Sequence, residues 1–160
     1  MSSFNAAILT SSDRCSRGES DDVSGLVLFE MLGAAGAETV ARDVVPDDKA
    51  RIKEKLLYYC DELKVNVVFT TGGTGFGPRD ITPEATLQVI ERSIPGLPEL
   101  MRLEGLKKTR KAMLSRGVCG IRGGTLIINL PGSPKAVKES LEAVLDLIPH
   151  SLEMLKGGGH

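Results

Sequence analysis

Short apolar runs alternate with amphipathic segments along the first half of the chain. Residues 6–10 (AAILT), 39–45 (TVARDVV) and 65–69 (VNVVF) are rich in apolar and β-branched side chains, which predicts three strands. Residues 21–32 place apolar side chains near helical spacing, and so does the segment that follows Pro46. The pattern therefore predicts strand, helix, strand, helix, strand.

The second half of the chain continues this alternation. Thr82 and Pro83 are typical of a helix cap and a first helical position, so we expect a helix over about 83–92 and another over about 98–110. VCGIR and TLIINL predict a hairpin or two adjacent strands, and a last helix follows the PGSP turn at 131–134. The sequence therefore predicts a three-layer α/β/α fold with a mostly parallel central sheet.

Size and charge narrow the class of protein. The chain has 160 residues, of which 41% are apolar and 26% charged, so we expect one soluble domain over residues 1–160. The formal net charge is −1 and the basic residues are interspersed with acidic ones, which argues against a nucleic-acid-binding surface. No apolar run approaches the roughly 18 residues of a membrane span.

The cysteines indicate a reducing compartment. Cys15, Cys60 and Cys119 are odd in number and widely spaced, so we expect free thiols and a cytoplasmic location. A zinc site is not expected, because the chain has no C-x-x-C pair and both histidines, His150 and His160, lie near its C-terminal end. Cys60 and Cys119 are expected in the core, and Cys15 in a loop.

Three polar or glycine-rich loops follow predicted strands. They are SSDR at 11–14, the glycine loop at 71–80 and PGSP at 131–134. Because ligands collect at the carboxyl ends of parallel strands, we expect these loops to form one cluster. The glycine loop has two interpretations: a tight turn without a ligand, or a set of main-chain amides that binds phosphate near a helix N-terminus.

The loop matches neither of two familiar phosphate motifs. A P-loop needs lysine and a hydroxyl residue after its second glycine, and Pro78 and Arg79 stand there instead. A dinucleotide fingerprint that starts at Gly73 needs glycine where Pro78 stands. Phosphate binding remains the hypothesis, without either named motif.

Two acidic residues are candidates for a metal site. Asp80 follows the glycine loop, and an acid beside bound phosphate is tolerated when a divalent cation such as Mg²⁺ lies between them. Asp47 follows a predicted strand and is the second candidate, with Asp48 as its competitor. The alternatives are structural: Asp47 caps the next helix, Asp80 caps its helix or pairs with Arg79, and Arg79 contacts a neighbouring subunit.

Several ordered motifs resemble one known family. They are SDRCSRG at 12–18, PDD, TTGGTG followed by RDITPEAT, and LSRGVCGIRGGTLIINLPGSP at 114–134. Together they resemble the molybdopterin adenylyltransferases, the MogA/MoaB family that includes the gephyrin G domain, and the last motif is closer to the MogA and gephyrin type. The resemblance covers about residues 6–155.

The resemblance implies a fold, an activity and a site. It implies the molybdopterin-binding α/β fold, a homotrimer, and transfer of AMP from MgATP to molybdopterin with release of pyrophosphate, ahead of a molybdenum insertase. The family's two essential aspartates fall on Asp47 and Asp80, which would also hold Mg²⁺. The substrate-binding residues it implies are Gly72, Gly73, Thr74, Gly75, Pro131, Gly132 and Ser133, with Asp13 and Ser115 as further contacts.

Three other functions stay open at this point. A pterin carrier of the same fold would bind without releasing pyrophosphate, and a nucleotidase would hydrolyse ATP without pterin. A trimeric scaffold would need a large exposed apolar patch beyond its subunit interface. Intact Asp47 and Asp80 favour the enzyme.

Overall fold

The structure is a computed structural model and describes residues 3–158, so both ends of the expected 1–160 domain lie outside the described residues. Its centre is a six-stranded sheet in the order β2-β1-β3-β6-β5-β4. The first four strands in that order run parallel, and β5 and β4 are antiparallel to their neighbours. The strands are β1 (Asn5–Ser11), β2 (Glu38–Val45), β3 (Val67–Thr71), β4 (Arg92–Ser93), β5 (Cys119–Arg122) and β6 (Thr125–Leu130).

Helices cover both faces of the sheet. They are α1 (Asp13–Ser16), α2 (Val23–Ala34), α3 (Lys49–Leu57), α4 (Thr82–Leu87), α5 (Gly96–Leu106), α6 (Pro134–Val144) and α7 (Ile148–Leu155). One apolar cluster joins α2, α5, α6 and α7 to one face of the sheet, and a second joins α3 and α4 to the other face. The expected three-layer α/β/α fold is therefore confirmed.

The side chains of β1 explain why the sheet is central. Ala6 and Ile8 belong to the first cluster, Ala7 and Leu9 belong to the second, and all four are fully buried. Successive residues of a strand point to opposite faces, so a run that is apolar throughout requires cover on both sides.

Three element boundaries differ from the expectation. The third strand is Val67–Thr71, so it begins two residues later than predicted. Val65 is apolar because it is buried in the second cluster, although it precedes the strand. The helix expected over 83–92 ends at Leu87, and Arg92 and Ser93 pair with β5 instead. The helix expected over 98–110 begins at Gly96 and ends at Leu106.

Two predicted helix caps are wrong. Asp48, not Asp47, caps α3, because its carboxylate accepts the N–H of Ala50 at 2.9 Å. Thr82 is the first residue of α4 rather than its cap, and among the described residues its buried hydroxyl has no hydrogen-bond partner. Thr82 therefore leaves the N-terminus of α4 without a side-chain cap.

The sheet order brings the three predicted loops together. β1, β3 and β6 are adjacent and parallel, so the loops after Ser11, Thr71 and Leu130 leave the same edge. The Thr71 hydroxyl donates to the carbonyl of Pro131 at 2.7 Å, and the N–H of Gly72 donates to the carbonyl of Leu130 at 3.3 Å. Within residues 3–158, no helix is long and apolar enough to cross a membrane.

Candidate active site

A cleft of about 530 Å³ opens at this edge of the sheet. One wall is the glycine loop and another is formed by α5 and the segment 109–117, while the turn after β6 closes the cleft between them. The predicted site residues that line it are Gly73, Thr74, Gly75, Asp80, Ser115, Pro131, Gly132 and Ser133. Sequence reasoning therefore identified the residues of two loops that the fold brings into one cleft.

Unpartnered main-chain amides are the main chemical feature of the cleft. Within residues 3–158, the N–H groups of Gly73, Thr74 and Gly75 donate no hydrogen bond to protein atoms. The same is true of the N–H groups of Gly132 and Ser133 on the other side. Main-chain N–H groups are strong donors that need partners when a site closes, so this surface suits an anionic ligand.

Two of the loop glycines are required by close contacts. Gly72 and Gly73 have φ angles of +95° and +70°, which side chains rarely adopt. A Cβ on Gly72 would lie 2.3 Å from the carbonyl oxygen of Ser11, so the loop runs directly against the end of β1. The Gly72 amide is already bonded to Leu130, so Gly72 shapes the loop rather than offering its own N–H.

The later part of the loop wraps around the Asp80 carboxylate. Asp80 Oδ2 accepts the N–H of Gly77 at 2.8 Å, and a Cβ on Gly75 or Gly77 would lie 2.9 Å from the same oxygen. Asp80 Oδ1 accepts no hydrogen bond from the described residues. Asp80 thus caps no helix, and one of its oxygens is available at the lining of the cleft.

Asp47 follows β2 and is not among the residues that line the cleft. Its Oδ1 accepts the hydroxyl of Ser11 at 2.7 Å, and its Oδ2 accepts the N–H of Asp13 at 3.1 Å. The Asp47 N–H in turn donates to Asp13 Oδ1 at 3.0 Å. These reciprocal bonds fix the Asp47 carboxylate against the loop after β1.

Asp13 and Arg79 link the Asp47 loop to the Asp80 loop, because Asp13 is hydrogen-bonded to Asp47 and Arg79 precedes Asp80. Arg79 donates two hydrogen bonds to the Asp13 carboxylate, both at 3.0 Å, so its partner is Asp13 and not Asp80. The pKa of Asp13 is lowered, mainly by the hydrogen bond from Arg79. The pKa of Arg79 is raised, first by Asp13 and further by the charges of Asp47 and Asp48. One guanidinium therefore offsets several negative charges at this edge.

A complete metal site is not built by protein side chains alone. Within residues 3–158, no group of three or more histidine, cysteine, aspartate or glutamate side chains is placed to hold a metal ion. Asp47 and Asp80 follow β2 and β3, which flank β1, so the two strand ends are about 10 Å apart from the spacing of neighbouring strands. A metal held here would need oxygen ligands from its substrate, which is how Mg²⁺ is usually bound.

Sequence reasoning missed two residues that support the cleft or line it. Arg116 contacts the glycine loop through two side-chain hydrogen bonds. In the sequence it was only one letter of the long motif at 114–134, and no role was assigned to it. Asn129 lines the cleft and is almost fully buried, and its side-chain NH₂ donates to the hydroxyls of Thr70 and Thr86. The buried amide ties β6 to β3 and α4 under the loop.

A second crevice of about 360 Å³ lies on the other side of the glycine loop. Gly72, Gly132 and Cys15 are among its lining residues. Cys15 belongs to the short helix α1 rather than to a loop, and its thiol contacts the carbonyl of Asp21 at 3.7 Å. Cys60 and Cys119 are buried as expected, and the three described cysteines are free.

The fold and the cleft together define an α/β protein with an amide-lined cleft at the carboxyl ends of its parallel strands. The family model described as a probable molybdopterin binding domain matches residues 7–150. The chain belongs to this family, which confirms the resemblance found in the sequence.

Relatives of known name extend over most of the chain. The molybdopterin adenylyltransferase of Helicobacter pylori J99 is 42% identical over 159 residues, covering 98% of this chain and 90% of that protein. The molybdenum cofactor synthesis protein cinnamon of Drosophila melanogaster is 46% identical over 97% of this chain, which spans only 26% of its length.

A solved structure confirms the fold at high identity. The molybdopterin biosynthesis enzyme MoaB from Thermus thermophilus is 51% identical, with a TM-score of 0.91. The superposition covers 96% of this chain and 97% of that one. That protein carries the MoaB name, whereas the resemblance of the last sequence motif predicted the MogA type.

Proposed function

We propose that the chain is a molybdopterin adenylyltransferase, which transfers AMP from MgATP to molybdopterin in molybdenum cofactor biosynthesis. The observation that carries the proposal is the set of amides at Gly73, Thr74 and Gly75, which have no hydrogen-bond acceptor among the described residues, together with those of Gly132 and Ser133 in the same cleft. The Helicobacter pylori relative, which this chain covers almost completely, bears that name. A reaction between two phosphate esters needs an anion-binding surface of this kind.

The reaction joins two negatively charged groups. An oxygen of the molybdopterin phosphate attacks the α-phosphorus of ATP, and the bond from that phosphorus to the oxygen bridging to the β-phosphate breaks. Pyrophosphate leaves with the electron pair of that bond. The attacking phosphate is already a nucleophile, so catalysis rests on positioning and on offsetting charge.

Each group of the cleft has a part in this scheme. The amides of residues 73–75 and 132–133 donate to phosphate oxygens and hold the two substrates in line. They are fixed before substrate arrives, because the contacts of Gly72 with Ser11 and Leu130 set the course of the loop. Ser115 and Pro131 shape the walls that face the substrates.

The acidic residues fit a magnesium ion that arrives with ATP. Asp80 Oδ1 is free of hydrogen bonds from the described residues and lies at the cleft, as a direct ligand requires. Each carboxylate oxygen of Asp47 accepts one hydrogen bond and keeps a further lone pair. Asp47 is therefore the proposed second ligand. When bound, the ion neutralises the phosphate charge that Asp80 would otherwise repel.

A pyrophosphate-release assay tests the proposal. The protein is incubated with MgATP, with and without molybdopterin, and pyrophosphate and adenylylated pterin are measured. We expect both products only when ATP, Mg²⁺ and molybdopterin are all present. ATP hydrolysis without pterin would instead identify a nucleotidase, and pterin binding without pyrophosphate would identify a carrier.

We also propose that the chain forms a homotrimer. Helix α2 is apolar on two sides: Leu28 and Leu32 are buried, whereas Val23, Leu26 and Phe29 are 44–50% exposed at a spacing of three residues. An exposed apolar helix face is typical of a subunit interface. Sedimentation equilibrium should give three times the chain mass of 17.1 kDa, and Phe29→Glu should dissociate the assembly. A monomer at micromolar concentration would contradict this.

The remaining parts of the proposal concern the cell. The free thiols support a cytoplasmic location, where cysteines stay reduced. A molybdenum insertase is the proposed recipient of the adenylylated product. Co-purification of this protein with an insertase from a cytoplasmic extract, followed by direct transfer of labelled product to that insertase, would support this proposal. Free diffusion of the product between the two proteins would count against it.

A further inference from the structure

Arg116 contacts the glycine loop at three places. Its Nε donates to the carbonyl of Gly75 at 2.8 Å, and its Nη2 donates to the carbonyl of Asp80 at 2.7 Å. Its main-chain N–H donates to the carbonyl of Thr74 at 3.0 Å. Arg116 thus binds the loop on both sides of the segment that surrounds the Asp80 carboxylate.

The same guanidinium is anchored on helix α4. Its Nη1 and Nη2 donate to the two carboxylate oxygens of Glu84 at 2.8 Å and 3.2 Å. Glu84 is the glutamate of the RDITPEAT motif, and its carboxylate holds Arg116. The lowered pKa of Glu84, whose largest cause is the Arg116 hydrogen bond, agrees with a stable ion pair.

The geometry needs an arginine. The five N–H donors of a guanidinium lie in one plane at fixed angles, and here they serve two carbonyls and a carboxylate at once. A lysine has one ammonium group and cannot reach all three partners in this arrangement. Arg116 also follows Ser115, which lines the cleft, so it joins the wall at 109–117 to the glycine loop.

We propose that Arg116 is a positioning residue for the reaction: it fixes the spacing between the amides of residues 73–75 and the Asp80 carboxylate. The inference rests on the proposed function for its catalytic consequence. Arg116 itself is not among the residues that line the cleft, and it acts through Gly75 and Asp80, which do. Its loss leaves the amides and the carboxylate in place but lets their separation vary.

Arg122 provides a matched control. It also donates two hydrogen bonds to a carboxylate, that of Asp61 at 3.0 Å and 2.9 Å, and one to a carbonyl, that of Val89 at 3.0 Å. The exposed fractions of the Arg116 and Arg122 side chains are similar, 35% and 28%. None of the partners of Arg122 lines the cleft.

The experiment compares Arg116→Ala, Arg116→Lys and Arg122→Ala. For each, KM for MgATP, KM for molybdopterin, kcat and the Mg²⁺ concentration for half-maximal activity are measured. We expect Arg116→Ala to raise KM for MgATP and the Mg²⁺ requirement at least tenfold, with less than a threefold change in KM for molybdopterin. Arg116→Lys should recover little of this, and Arg122→Ala should stay within twofold of the parent protein.

Hydrogen exchange on the same variants is independent of activity. The hydrogen-bonded amides of Gly72, Gly77 and Asp80 should exchange at least tenfold faster in Arg116→Ala and at the parent rate in Arg122→Ala. Unchanged exchange, or equal acceleration in both variants, would overturn the inference. If the parent protein releases no pyrophosphate, the proposed function fails, and the exchange result alone then decides whether Arg116 fixes the loop.

Discussion

The Cα of Gly73 lies against the side-chain hydroxyl of Thr82, so that a Cβ on residue 73 would be 2.2 Å from the Thr82 Oγ1. The N–H of Thr82 donates to the carbonyl of Gly73 at 3.1 Å, which locks the first turn of α4 to the loop. The Thr82 hydroxyl gains no hydrogen bond from the described residues and is fully buried. A buried polar atom is thus retained at the point where the loop meets the helix.

Gly73→Ala should destabilise the protein by more than its backbone conformation alone explains. A left-handed conformation costs a non-glycine residue about 1–2 kcal/mol, and forced overpacking adds about 1–3 kcal/mol. Gly123→Ala is the control, because Gly123 also has a positive φ (+56°), but among residues 3–158 nothing beyond its chain neighbours lies within 4 Å of an added Cβ. Urea unfolding of both variants measures the two costs.

A double-mutant cycle identifies the clashing partner. Thr82→Ala removes the hydroxyl oxygen, which leaves the Thr82 Cβ at 3.2 Å as the closest remaining side-chain contact of an added Cβ. We therefore expect Gly73→Ala to cost at least about 1 kcal/mol less in the Thr82→Ala background, within the range measured for residues in contact. Additive free energies of unfolding would show that Thr82 does not set the glycine requirement.

Asp80→Asn should reduce adenylyl transfer while leaving the loop folded. The amide oxygen of asparagine can still accept the Gly77 N–H, but the negative charge at the cleft is lost. A charge-assisted contact of this type contributes about 1.5–3 kcal/mol, which corresponds to roughly a 10- to 150-fold fall in kcat/KM. Asp47→Asn should behave in the same direction, and the rate of pyrophosphate release measures both.

Asp48→Asn separates the metal hypothesis from general loss of negative charge. Asp48 caps α3 through the Ala50 N–H, and asparagine is an equally good cap. Its kcat/KM should stay within about twofold, well under the tenfold change that 1.4 kcal/mol produces. A parent-like rate for Asp80→Asn, or an Asp48→Asn variant as impaired as Asp80→Asn, would remove Asp80 from the metal site.

The position of the cleft was predictable because it follows from strand order. Apolar runs located β1, β3 and β6, and parallel strands bring the loops after them to one edge. Local signals also predicted a hairpin or two adjacent strands at VCGIR and TLIINL, and Cys119–Arg122 and Thr125–Leu130 form an antiparallel pair. Features that a short stretch of sequence determines by itself, such as turns and the hydrophobic pattern of a strand, could therefore be predicted without the structure.

The errors lie where tertiary contacts choose between equivalent neighbours. Asp47 and Asp48 are both suitable helix caps, and the choice is made by Ser11 and Asp13, which engage Asp47 from 34–36 residues away. Arg116 was missed for the same reason, because the contacts of its side chain with the loop span 36–41 residues. No local pattern encodes such pairs, since their partners meet only after the sheet has formed.

Acidification should weaken the Arg116–Glu84 ion pair only at low pH. The pKa of Glu84 is lowered in the folded protein, so the pair stabilises the fold above the ordinary glutamate pKa of 4.5, and this contribution is lost as the pH falls through the lower folded value. The difference in Tm between the parent and Glu84→Gln should be constant from pH 7 to 5 and shrink below pH 4.5. A difference that disappears near pH 6 would contradict this.

The three thiols should differ sharply in reactivity. Burial raises the pKa of Cys60 to about 11 and that of Cys119 to about 12, so neither forms thiolate near neutral pH, whereas Cys15 is partly exposed at the second crevice. A disulfide reagent at pH 8 should modify one thiol per chain quickly in the native protein and three in denaturant. Cys15→Ser should abolish the fast phase and keep two slow thiols. A fast phase that survives this substitution would mean that the sheet or the helical turn after α3 opens enough to expose Cys119 or Cys60.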